Sequence, residues 1–143
     1  MSLEAGSGDP EAVVRAVGKL TEALETIERA RGHLYSFHQL TGHADLQLDA
    51  AVAQLSRIGH ADLAQHIEGE LVGRNVLPGR WTYQVIEEYQ DGYYRCFKDI
   101  EQLVRDRLVG GRRHAHEAAL KEHRRTVGHP AHTASPTDDS VAQ

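Results

Sequence analysis

The stretch GRNVLPGRWTYQVIEEYQDGYYRCFKDIEQLVRDRL, Gly73 to Leu108, joins a Pro/Gly loop to the longest aromatic-bearing helical pattern in the chain. Pro78-Gly79 is its sharpest turn signal. Beyond the turn, apolar residues recur at Val85/Ile86, Tyr89, Tyr93, Cys96/Phe97, Ile100, Leu103/Val104 and Leu108. Steps of three and four put them on one face of a helix. That helix begins near Trp81 or Thr82 and stops at Gly110-Gly111. Six of the eight aromatic residues lie between Trp81 and Phe97, so the buried row is expected to run along this helix.

A partner of matching length lies upstream. Asp9-Pro10-Glu11 provides an N-cap acceptor, a proline at the first helical position and an acid in the first turn. Val13, Val17, Leu20, Leu24, Ile27 and Leu34 then continue one stripe. Ala16, Ala23, Ala30 and Phe37, spaced by sevens, form a thinner row beside it, and Gly18 and Gly32 add to the case for close approach by a second helix. Gly42 reads as the stop. The pentapeptide Gly42-His43-Ala44-Asp45-Leu46 returns as Gly59-His60-Ala61-Asp62-Leu63. Both copies read as helix corners, each with a glycine stop and an aspartate cap. Two short helices follow from this, at 44–58 (Leu48, Val52 and Leu55 inward) and 61–72 (Leu63, Ile67 and Leu71 inward), with Gly73 ending the second.

These elements define an all-α chain, an antiparallel helical bundle in which two long helices flank a short helical hairpin. The bundle is expected over 9–125, after a flexible N-terminus at 1–8. A weakly amphipathic Arg/His helix at 112–125 closes it, and TVGHPAHTASPTDDSVAQ, from Thr126, has the composition of a disordered tail. The segment ELVGRNVLPGRWTYQVIEEYQDGYY, Glu70 to Tyr94, resembles a stretch in an uncharacterised family of small all-helical bacterial proteins. The resemblance covers about residues 30–125. It implies the helical fold and carries no activity, cofactor or catalytic residue.

Composition narrows the function. The 143 residues carry a net charge of -5, and no apolar run is long enough to span a membrane. The N-terminus lacks the basic-then-apolar pattern of a signal peptide, so a cytoplasmic location is expected. Thirteen arginines against three lysines suit a GC-rich bacterial genome. Cys96, the sole cysteine, sits in the apolar row and reads as a small buried hydrophobe. No Ser-His-Asp, P-loop, dinucleotide or Cys-cluster pattern occurs. Glu87 and Glu88, adjacent on a helix, point about 100° apart and cannot act as a facing acid/base pair.

Ten histidines raise the question of a metal. In an up-down bundle His38, Asp49, His66, Glu70 and Glu87 or Glu88 would reach similar heights, a donor set that suits iron, manganese or zinc. The Glu-x-x-His pairs of di-iron bundles are missing, which favours solvated side chains. Between Arg105 and His132, seven cations face three carboxylates. No nucleic-acid reading motif or stacking aromatic accompanies them, so a role beside a helix C-terminus is preferred to nucleic-acid binding.

Trp81, Tyr83 and Tyr94 fall partly off the buried row, near Arg80. Such residues either cap a bundle or anchor a protein interface. The two long helices would each span on the order of 40–45 Å, and the middle pair only about 18–22 Å. Val13, Val17, Leu20 and Leu24, with Ile100, Leu103, Val104 and Leu108, would then stay open unless the C-terminal helix or a second subunit covered them. The second subunit is the preferred cover. The functional expectation is thus a non-enzymatic interaction or assembly module, a homodimer with a possible protein partner at 74–94. The alternative is a bundle binding metal or a small ligand through His38, His66, Glu70 and Glu87/Glu88.

Overall fold

A computed structural model describes residues 9–137. The expected flexible residues 1–8, and 138–143 of the expected tail, lie outside the described residues. The chain is all-α: among the described residues every regular element is helical. In order these are α1 (Pro10–Arg57), α2 (Ala61–Glu70), α3 (Thr82–Tyr89), a π-helical turn (Gln90–Tyr94), α4 (Arg95–Val109) and α5 (Ala115–Arg124). The chain divides into two compact units. A terminal unit takes the residues up to Glu25 and from Phe97, and a central unit takes Thr26–Cys96.

α1 starts as its sequence requires. The Asp9 carboxylate accepts the Glu11 N–H at 3.2 Å and its carbonyl accepts the Val13 N–H at 3.0 Å. It does not stop at Gly42. The helix runs on for 48 residues, absorbing the short helix expected at 44–58 and with it one arm of the hairpin. Gly42 keeps helical backbone, whereas Gly59, its counterpart in the repeat, has φ +92° and makes the corner. A lone glycine costs a helix about 1 kcal/mol, too little to end one whose flanking turns are anchored by packing. Neither aspartate of the repeat caps a helix. His60 is the N-cap of α2, without a side-chain bond, and Asp45 accepts the Gly73 N–H at 2.9 Å.

In the central unit one face of α1 is polar and holds the π-turn. Gln90 Oε1 accepts Arg31 Nε at 3.1 Å, Arg31 Nη2 at 2.6 Å and the Tyr35 hydroxyl at 3.0 Å. The Tyr94 hydroxyl donates to Glu28, and the Arg31 guanidinium lies 4.7 Å from the centre of the Tyr94 ring. One turn further, His38 Nδ1 and the Oγ1 of fully buried Thr82 share a 2.7 Å hydrogen bond. A π-turn inserts one residue into the helical repeat. The inward position after Tyr89 therefore falls on Tyr94, 8% exposed, and not on Tyr93, which is 58% exposed. Cys96 is exposed as well, contrary to its expected burial.

The same one-residue offset marks α4 in the terminal unit. Glu101 and Val109 are buried and Val104 is half-buried, while Ile100, Leu103 and Leu108 face solvent. Glu101 is only 2% exposed. It accepts Arg105 Nε at 2.6 Å and the Thr21 hydroxyl at 3.1 Å. Arg105 also reaches the Gly111 carbonyl at 3.2 Å, binding the two-glycine turn that ends α4. Val17 is buried, and Val13, Leu20 and Leu24 are half-buried. α5 lies against the start of α1, where a Cβ at Gly18 would stand 2.8 Å from the Cβ of His116. Gly18 thus permits a close approach, whereas nothing lies within 4 Å of a Cβ at Gly32. The C-terminal helix thus lies beside this end of α1. The first residues of the expected tail are tied down. Arg125 donates to the His132 carbonyl at 3.1 Å, and the Thr126 N–H donates to His132 Nδ1 at 3.0 Å.

Two expectations follow. Glu101→Ala leaves the Arg105 guanidinium buried without its carboxylate and should cost about 3 kcal/mol in urea unfolding; a loss under about 1 kcal/mol would mean that Arg105 finds water. The hydrogen bond to Glu28, then burial, raises the Tyr94 phenol above its ordinary value. With the folded value raised, its contribution to stability is whole below pH of about 10 and is lost as pH climbs through the folded value. Phenolate absorbance should show a late ionisation that disappears in Tyr94→Phe.

Candidate functional site

The loop after α2 lines an open groove of the central unit. Pro78-Gly79 forms a tight turn closed by Arg80 N–H to the Leu77 carbonyl at 3.0 Å and Leu77 N–H to the Arg80 carbonyl at 3.3 Å. Proline in the second position and Gly79 at φ +73° in the third suit a type II turn. At the other end of the loop, Asp45 on α1 fastens Gly73. The Trp81 N–H then meets the Gln84 side-chain oxygen at 2.8 Å, and α3 begins.

Between the loop and α1 lies an open groove of about 520 Å³, whose apolar wall includes Phe37, Leu48, Leu71, Val76 and Trp81, with Asp45 and Arg74 also lining it. Phe37, Thr41, Ala44 and Leu48 recur at helical spacing on one face of α1. Arg74, in the lining, lies 3.6 Å from Glu70, and Arg80, next to Trp81 in the chain, lies 2.5 Å from Glu88. Glu88, by hydrogen bond and opposite charge, holds the Arg80 guanidinium above its ordinary range.

Of the residues singled out from sequence as an interface, Trp81 is half-buried in this groove and Tyr83 is exposed. Arg80 is engaged with Glu88 and with the Pro78 carbonyl at 3.2 Å. Tyr94 is an interior residue, and Val17 is buried beside half-buried Val13, Leu20 and Leu24. Phe37, Leu48 and Asp45 were missed as groove residues. In the sequence pattern Phe37 and Leu48 fall on helix-packing rows and Asp45 at a helix cap, so periodicity does not mark them as groove residues.

The metal alternative fares differently. His38 is bonded to Thr82, Glu70 faces Arg74, and His66 and Glu87 are exposed. The structure does not gather them. Among the described residues, the group of His, Cys and acidic side chains whose ligand atoms converge is Glu25, His114 and Glu117 in the terminal unit, all within 4.8 Å of one another. The Gly110-Gly111 turn (φ +65° and +76°) and a left-handed His114 (φ +57°) deliver the chain to this point.

The basic segment is partly spent on its own unit. Arg112 donates to the Val109 carbonyl at 3.0 Å, and Arg125 grips Glu122 through bonds of 2.6 and 3.0 Å. The Arg125 hydrogen bond lowers the Glu122 carboxyl and raises the guanidinium in return. Comparison with protein-family models, with curated proteins and with solved structures finds no match to this chain.

Proposed function

We propose that the chain is a non-enzymatic assembly module that pairs with a second copy of itself through the groove of the central unit. The observation that carries this reading is the imbalance of apolar surface around Trp81. Phe37 and Leu71 in the groove and Leu77 beside it are exposed by 46%, 50% and 51%, while the buried apolar side chains of the same unit are Val52, Ala64, Ile86 and Tyr94. Contiguous apolar surface on this scale marks an interaction site.

A second copy suits the patch because a two-fold interface sets one surface against itself. The groove has an apolar wall, and the chain around it carries charges of both signs, Arg74 paired with Glu70 and Arg80 with Glu88. In a two-fold pairing, charges of both signs near the contact can meet their opposites. Trp81 and Phe37 offer the large, partly exposed rings that dominate interface energy. A partner helix from another protein is the competing occupant and would use the same anchors. A cytoplasmic setting belongs to the same reading; no described helix is long and apolar enough to cross a membrane.

Sedimentation of the full chain at micromolar concentration should give a dimer. Phe37→Glu, at an exposed site, should raise the dimer dissociation constant about 30-fold or more, the equivalent of about 2 kcal/mol, with helix content unchanged. Trp81→Ala should weaken pairing likewise. A strict monomer, or a dimer indifferent to both substitutions, would overturn the reading.

A further inference from the structure

Glu25 lies on α1 and Glu117 in the first turn of α5, with His114 as the residue before that helix. His114 Nδ1 is 3.8 Å from Glu117 Oε2. The triad stands apart from the ion pairs elsewhere in the chain. Glu11, Glu22, Glu28, Glu70, Glu88, Glu101 and Glu122 each have an Arg or Lys nitrogen within 4.0 Å. Glu25 and Glu117 have no such partner among the described residues, and what they share is an imidazole. Two carboxylates drawn together without a fixed cation leave local negative charge, and the imidazole adds a nitrogen donor that alkaline-earth ions do not favour.

We propose that Glu25, His114 and Glu117 bind a divalent transition-metal ion of the zinc type. Imidazole with carboxylate oxygens is a donor set such ions accept. A tetrahedral zinc takes oxygen and nitrogen at about 2.0–2.2 Å, which brings donors to about 3.4 Å from one another. From separations of up to 4.8 Å, the closing movement is on the order of 1 Å, within reach of exposed glutamate side chains rotating about their own bonds. Water completes the shell. The ion would fasten α5 to α1 inside the terminal unit, at a site separate from the groove, so this proposal is independent of self-pairing.

The test is calorimetric titration of the tag-free full chain with zinc chloride, and with calcium chloride in parallel. Zinc should bind one per chain and calcium should not. Glu25→Gln and His114→Asn should each weaken zinc binding at least about tenfold; asparagine removes the imidazole yet tolerates the left-handed backbone. His66→Ala, an exposed histidine of the central unit, should bind zinc like the parent chain. Circular dichroism of each variant keeps loss of binding apart from loss of fold. The proposal fails if the parent chain does not bind zinc, if both triad variants bind as it does, or if His66→Ala weakens binding equally.

Discussion

The π-turn at Gln90–Tyr94 is the constraint on which the central unit depends. Such a turn gives up regular i→i+4 bonding and survives where other contacts hold it. Here the contacts come from Glu28, Arg31 and Tyr35, spaced three and four apart on α1. Arg31 lies over the ring that ends the turn and bonds the side chain that begins it. Its guanidinium suits both tasks, since it is planar and carries several fixed donors. Tyr94 is thereby turned inward and Tyr93 outward.

A comparable polar device organises the terminal unit. Glu101 takes an inward position that the sequence pattern would give to a hydrophobe, and it is tolerated because Arg105 and Thr21 satisfy it. Arg105 then reaches Gly111, so the buried pair also positions the turn that brings His114 and Glu117 toward Glu25. The ion pair and the candidate metal triad are linked through a short stretch of chain. Gly18 completes the arrangement by letting α5 rest close on α1.

Polar seams of this kind leave apolar residues over. In the central unit they collect around the groove between α1 and the loop that ends at Trp81. The loop keeps its shape without any partner: the Pro78-Gly79 turn, Asp45 on Gly73 and Gln84 on Trp81 hold its ends and middle. A preorganised surface loses less entropy on binding, which suits an assembly role better than an adaptable loop would.

Local chemistry alone determined the all-helical class, the Asp9-Pro10 start of α1, the corner at Gly59, the turn at Pro78-Gly79 and the stop at Gly110-Gly111. Each depends on a residue's own backbone preference or a bond spanning a few positions, and both are written in neighbouring letters. Helical passage through Gly42 was not legible, because a glycine costs less than the turns on either side contribute. Nor was the register beyond Tyr89: periodicity assumes an unbroken repeat, and the turn that breaks it is held by Arg31, 59 positions away from Gln90. Burial of Glu101, the groove beside Phe37 and the meeting of Glu25 with His114 were decided in the same way. Pairings between distant segments are chosen by packing in three dimensions, and no spacing along the chain records them.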